Sequence, residues 1–468
     1  MADNKTTLMN SRDALPGLWR RPVLHLQMLI TLALLLGGGG VVYGVRHFII
    51  QAFALLLLAV HSGLVVAFFR NAPRPLVALL LLSLAFPLLQ IVPLPPAIWQ
   101  AIPGRALIVQ ALELAGQSSD SWRPFSVDSM RTLASFCAMI VPASVLILGF
   151  SLSFRHRVWL AWTAIIVALA IALLGFVQLS SANTIAITQW ITPDDDVLYG
   201  TFSNRNSGGL LFVIAAILTL ALPYRSNFKH ILAIGAVVLL LPLAAILTQS
   251  RTSMALLVVF LAFVGLRIVT ALLSRKSSPD QPAQNGLAPK KGLANWQLCG
   301  IALLGLALPV LLAISLFSGG RAADSFERYS VIQNDRWERW DDSSYVIDRY
   351  WPAGVGMGNF DEVFQIDESL EYLSPPRAGR AHNDYLEVVI ESGIVGPLLI
   401  LAWLIWSVWA LTRPGSPEGR WLRLGGFAVI CCFAMQSIFD YPLRSQALIT
   451  IAALAMLFMS RRGQERLQ

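Results

Sequence analysis

Charge is scarce in this chain. Only 13% of its 468 residues are Asp, Glu, Lys or Arg, 56% are hydrophobic, and the mean hydropathy is +0.63. A soluble globular domain carries roughly 25% charged residues, so the whole chain is not one. Lysine is rarer still, with five positions: Lys5, Lys229, Lys276, Lys290 and Lys291. Cysteine stops at Cys137, Cys299, Cys431 and Cys432. None of these has the spacing of zinc ligands and all lie in or beside apolar runs, which argues against a zinc module and predicts no structural disulfide. With six histidines spread along the chain, an imidazole metal site is short of ligands. The first 22 residues are polar, with Arg20 and Arg21 just before the first apolar run. That run lacks a small-residue cleavage site and reads as an uncleaved span.

What the chain does have is repeated apolar runs of about 20 residues, the length that crosses a bilayer as a helix. The fold class expected is an all-α polytopic membrane protein with about 12 transmembrane helices. The spans read as 24–45, 48–69, 76–94, 132–152, 158–179, 207–223, 231–248, 253–273, 297–317, 386–411, 423–439 and 445–460. A large polar segment, 318–385, separates the ninth from the tenth.

Basic residues set the sidedness. With the N-terminus inside, the inner segments hold 21 of the 35 lysines and arginines, all five lysines among them, and only five acids. The reverse orientation breaks this pattern at nearly every loop. The net charge of +8 is therefore a loop asymmetry and not a nucleic-acid footprint. Both termini are expected inside. The inner loops are short, the longest being the linker-like "SRKSSPDQPAQNGLAPKKG", so function is expected on the outer side.

Several outer residues can carry chemistry. In "RAHNDYLEVVIESGIVG" (380–396), Asp384, Glu387 and Glu391 share one face of a helix that leads into an apolar span. Helix capping, with Asn383 or Asp384 as N-cap, explains acids at such a start, but it does not explain His382. Ionisable groups at a membrane boundary are functional candidates. Outer arginines are Arg205 in "GTFSNRNSGG", Arg251 in "TQSRTSMAL", Arg336 and Arg339 in "NDRWERWDD", and Arg380 beside His382. Guanidinium groups pair with phosphate through several planar donors, so arginines converging at headgroup level suit a pyrophosphate. Each singly is also explained by snorkelling to lipid phosphate. Trp340 and its aromatic neighbours either stack on sugar rings or lie along the interface. The turn "FDYPLRS" adds Asp440, which either orients His382 or an arginine, or pairs with Arg444. Acidic "TPDDDV" (192–197), with Asp194, Asp195 and Asp196, reads as a solvated loop before a cation site. "GVGMGNF" (354–360) lacks the strand–helix setting of a nucleotide loop and reads as a tight turn.

The succession of an "SR" turn opening a span, "DRWERW", "GVGMGNF" and "AHNDYLEVVIESGIVG" resembles the O-antigen ligase and O-antigen polymerase superfamily, over roughly 245–440. The H-N-x-Y-L…E-x-G-x-x-G element is its most specific part and contains His382, Asn383, Tyr385 and Glu391. The resemblance implies a membrane glycosyltransferase of the bacterial inner membrane with its active site on the periplasmic side. It implies transfer of a glycan from undecaprenyl pyrophosphate to an acceptor hydroxyl, with inversion and without metal, nucleotide sugar or other cofactor. Arg251 and Arg336 match the family's paired outer arginines, and His382 its essential histidine. Asn204, Arg205 and Asn206 match an element that contacts the headgroup. His382 would act as base or position a phosphate or sugar. The implied partners are the lipid-linked donor, membrane lipid and an acceptor that is a glycan, lipid A-core or a protein, with no nucleic acid.

The chain then divides into a cytoplasmic tail (1–23), N-terminal transmembrane helices (24–244), a ligase/polymerase-like catalytic region (245–440, including 318–385) and a last helix with a basic tail (441–468). Two other readings remain: a transporter or flippase for polysaccharide or lipid-linked glycan, and a protein O-oligosaccharyltransferase. Transporters place ionisable groups near the bilayer midplane. Here His61 is the main such candidate, whereas charge gathers on one outer face, which favours an interfacial enzyme.

Overall fold

A computed structural model describes residues 21–39, 44–181, 183, 197–223, 228–276, 329–371, 379–413 and 417–460. These residues are overwhelmingly helical. An apolar segment in lipid must bond its own backbone, and a helix does so within a single run. Four helices come first: α1 (Pro22–Leu36), α2 (Val45–Val60), α3 (Ser62–Asn71) and α4 (Arg74–Ile91). A loop with two short helices, α5 (Pro96–Trp99) and α6 (Ala106–Leu114), is closed by a two-residue antiparallel ribbon of β1 (Pro93–Leu94) and β2 (Arg123–Pro124). Next are α7 (Ser129–Phe150), capped by the Asp128 carboxylate, α8 (Phe154–Ser180), α9 (Arg205–Ala221), α10 (Phe228–Leu247) and α11 (Arg251–Lys276). The polar helices α12 (Tyr329–Tyr350) and α13 (Phe360–Asp367) form a cap. The chain then runs through α14 (Asp384–Ser392), α15 (Val395–Thr412), α16 (Pro417–Gln436), a 3-10 turn (Pro442–Arg444) and α17 (Gln446–Met459).

The protein is an all-α membrane protein, but the described helices do not reach the expected count of about 12. Six are long and apolar enough to cross a membrane: Arg74–Ile91, Ser129–Phe150, Phe154–Ser180, Lys229–Leu247, Arg251–Thr270 and Val395–Thr412. The expected second span is the pair α2 and α3, bent by 77°, which counts as a seventh if taken as one. His61 sits at the break, and its Nε2 meets His25 Nδ1 of α1 at 2.8 Å. The expected first, sixth and twelfth spans are shorter apolar helices, α1, α9 and α17. The eleventh falls on α16, whose start carries Glu418, Arg420 and Arg423. The ninth, 297–317, lies outside the described residues.

The short helix α9 lies at the centre of the core. Every residue from Asn206 to Ala221 is buried, so α9 is apolar all round and touches protein on all sides. It packs against α8, α10, α11 and α16. A 17-residue helix spans roughly 26 Å, less than the roughly 30 Å hydrocarbon thickness. Its N-terminus lies beside the start of α11, where Ser253 Oγ meets the Asn206 carbonyl. A second, smaller core (Val346, Tyr350, Val355, Phe360, Val363, Phe364, Ala381 and Ile390) joins the cap to α14.

Candidate active site

The "GVGMGNF" run is a tight turn, as its sequence suggests. Gly354, Gly356 and Gly358 have φ of 87°, 103° and 87°, a region that glycine enters without steric cost. The turn lies on the end of α14: the Val355 N–H donates to the Ile390 carbonyl (3.1 Å) and the Gly356 N–H to the Glu391 carbonyl (2.8 Å). This fixes the cap to the C-terminal end of α14, the helix that His382 precedes.

His382 has φ of +52°, uncommon for a residue with a side chain. Both flanks hold it. Ahead of it, the Ala381 N–H donates to Glu387 Oε1 (3.0 Å), and the Ala381 carbonyl accepts from Trp340 Nε1 of α12 (2.9 Å). Behind it, Asn383 is the N-cap of α14, its side-chain oxygen accepting from the Tyr385 and Leu386 N–H groups. The His382 ring then meets Asp440 Oδ1 through Nδ1 at 3.3 Å and rests edge-on against Tyr441, with centroids 5.0 Å apart. Asp440 is buried, and Asn204 Nδ2 donates to both of its oxygens (3.3 and 3.1 Å). A carboxylate on Nδ1 fixes the tautomer and leaves Nε2 with its lone pair. The His382 side chain keeps 27% of its surface exposed, against 1% for Asp440.

Arginines border this dyad. Arg336 Nη1 donates to the Phe439 carbonyl (3.0 Å), which sets α12 against the same turn that carries Asp440. Burial lowers the Arg336 pKa and nearby Arg205 and Arg339 lower it further, while Asp440 and Tyr441 oppose them. Arg205 and Arg339, from two distant segments, thus lie within electrostatic reach of Arg336, as does Asp440. Arg380 is buried, ion-paired to Glu387 (3.0 Å) and set over the Tyr441 ring. Arg251 opens α11 after a turn in which Gln249 has φ of 51°. That turn reaches the N-terminus of α9, where Ser253 Oγ donates to the Asn206 carbonyl (3.4 Å). Gly209 permits the approach, since a Cβ there would sit 2.4 Å from Ser253 Oγ and 2.8 Å from Thr248 Oγ1.

The three carboxylates of α14 have their partner in Arg444, a residue the sequence reading assigned only as an alternative partner for Asp440. Arg444 Nε lies 3.7 Å from Asp384 Oδ1 and 3.4 Å from Glu387 Oε2, and Nη1 lies 2.7 Å from Glu391 Oε2. All three acids are fully buried. A signal for this was present: acids at i, i+3 and i+7 that face protein require a cation nearby, and "YPLR" offers one. Glu391 is the acid farthest from His382, and its Oε1 accepts from the Phe360 N–H (3.4 Å) of the cap. Burial, with help from Glu387, raises the Asp384 carboxyl to about 7 against the pull of Arg444 and its hydrogen bonds. Burial lowers the Arg444 guanidinium, but the three carboxylates more than offset that and its pKa is raised. Tyr441 and Arg444 are site residues that the sequence reading did not single out.

An apolar cavity of about 350 Å³ lies under this floor. Leu80, Met139, Trp403 and Phe433 line it, and Tyr385, Ser437 and Arg444 are part of its wall. The Tyr385 hydroxyl is tied to the Ala434 carbonyl (2.8 Å). Among the described residues, no group of three or more His, Cys, Asp and Glu is arranged to hold a metal ion. The acidic run Asp194–Asp196 lies outside them.

No curated protein matches the chain. Residues 236–401, which contain Arg251, Arg336, Trp340 and His382 but neither Arg205 nor Asp440, match the family model described as O-antigen ligase, and this match supports the O-antigen ligase superfamily for that stretch.

Proposed function

We propose that the protein is an inner-membrane glycosyltransferase that moves a glycan from undecaprenyl pyrophosphate to an acceptor hydroxyl on the periplasmic side. The observation that carries this reading is the buried Asp440 on His382 Nδ1, placed beside a cluster of arginines that repel one another. His382 Nε2 accepts the proton of the acceptor hydroxyl, the step a positioned histidine performs near neutral pH. The acceptor oxygen forms the new bond at the anomeric carbon as the bond to the pyrophosphate oxygen breaks, a single displacement that inverts the centre. The electron pair and the growing negative charge leave with the pyrophosphate. Arg336, Arg205 and Arg339 stabilise that charge, with Arg251 approaching from the α9 side, a role preorganised cations fill well in a partly dry site. A bound pyrophosphate also relieves their mutual repulsion. Arginine donors in this number make a metal unnecessary to the scheme. Asn204 and Asn206, at the N-terminus of α9, add polar groups where anions bind favourably. The adjoining apolar cavity suits the isoprenoid chain of the donor, and Trp340 at the rim suits a sugar ring.

Reconstitution with a lipid-pyrophosphate-linked repeat unit, with and without lipid A-core, tests this. A His382-dependent ladder without core identifies a polymerase, and transfer only with core a ligase. Transfer only to an added protein identifies a protein glycosyltransferase. No transfer to any acceptor overturns the proposal in favour of transport.

A further inference from the structure

We propose that Asp384 and Glu387 are positioning residues for the transfer step: they clamp the peptide on either side of His382 and thereby hold its ring on Asp440, with Arg444 as the shared cation that allows both acids to be buried. The inference rests on the glycosyl-transfer reading of the site.

The clamp is built from contacts on both sides of one residue. Asp384 lies two positions after His382 and is completely buried. Its N–H donates to the carbonyls of Ser437 (2.9 Å) and Asp440 (3.2 Å). Its Oδ2 accepts from Ser437 Oγ (2.9 Å) and from the Leu443 N–H (3.0 Å). One side chain thus grips the turn at residues 437 and 443, and the turn between them carries Asp440 and Tyr441, the two groups that touch the His382 ring. Glu387 does the same before His382, taking the Ala381 N–H and the Arg380 guanidinium. A histidine at φ +52° relaxes to an ordinary backbone angle unless its surroundings over-determine it. Here the two carboxylates do so. Arg444 spans both acids and Glu391, because two carboxylates buried on one helix face without a cation repel each other and lose their hydration.

The test uses full-length protein in proteoliposomes and the variants Asp384→Asn, His382→Ala and the double variant. Asparagine keeps the shape of the side chain but loses its charge and one acceptor. The expected result for Asp384→Asn is a fall in kcat of about 10- to 100-fold, the range for small misplacement of a reacting group, with donor KM within about twofold. The double variant should be no slower than His382→Ala alone, because residues that act through one another are non-additive. A readout that needs no turnover runs beside it: the rate at which diethyl pyrocarbonate modifies His382, followed by peptide mass spectrometry. That rate should change several-fold in Asp384→Asn, because the contact with Asp440 sets both the reactivity of Nε2 and the freedom of the ring. Wild-type kcat in Asp384→Asn overturns the proposal, as does a slower double variant together with an unchanged modification rate. If wild type itself transfers nothing, the glycosyl-transfer reading fails and the modification rate alone decides whether Asp384 positions His382. Should Asp384→Asn not accumulate in the membrane, Glu387→Gln, which weakens the hold on Ala381, is read by the same three measurements.

Discussion

At the scale of the residue, the site depends on two carboxylates with opposite demands. Asp440 must present an acceptor to His382 Nδ1. Asparagine at that position offers a donor as readily as an acceptor, which favours the wrong imidazole tautomer. Asp440→Asn is expected to lower the transfer rate by about 100-fold or more, the contribution typical of a general base, with the protein still inserted; initial rates in proteoliposomes check this. Asp384 has a different signature. Its folded-state carboxyl is raised to about 7, from a usual 3.8. Between these values the folded protein holds a proton that the unfolded chain has released, so stability falls as pH rises through the window. The thermal midpoint of wild type should therefore decline from pH 5 to pH 8. Asp384→Asn should remove part of that decline. An equal slope in both proteins assigns the pH dependence to other groups.

At the scale of the element, helices α9, α14 and the Pro442–Arg444 turn are locked by packing that tolerates little change. Removing the cation from three buried acids leaves uncompensated charge, which costs about 3–5 kcal/mol when a buried pair is broken from one side. Arg444→Met should accordingly lower the detergent-solubilised melting temperature and the fraction of protein recovered folded, more than Arg339→Met, whose side chain is partly exposed. At Gly209 the problem is volume. Valine in place of Gly209 forces the Thr248–Ser253 turn away from α9, an overpacking of about 1–3 kcal/mol. Because that turn leads into Arg251, Gly209→Val should also raise the donor KM, read by steady-state kinetics across donor concentrations.

At the scale of the whole molecule, the cap and the linker at 274–296 should lie on opposite sides of the membrane, as the distribution of lysine and arginine requires. In a cysteine-free background, a membrane-impermeant maleimide should label Ser344→Cys, exposed on α12, from outside. It should label Asn285→Cys only after the membrane is opened. The reverse pattern inverts the topology and removes the periplasmic assignment of the site. The same architecture brings distant segments to His382. The start of α9 brings Asn204 onto Asp440, and the cap reaches the same turn and the peptide before His382 through Arg336 and Trp340.

The sequence by itself determined the membrane class, the helical fold and the family element around His382. These follow from apolar run length and from residues adjacent in the chain, which local patterns record. It misjudged the uniformity of the spans: the second is bent by 77° where His61 meets His25 of another helix, and α9 is a shorter helix buried on all sides. It named residues that the fold brings together around His382 but not their pairing. His382 and Asp440 are 58 positions apart, Arg336 and Phe439 103, and Asn204 and Asp440 236. Only the folding of the chain sets which acid faces an imidazole and which three share one arginine. A carboxylate in a sequence looks the same in every role, and its burial and its nearest cation decide which role it takes.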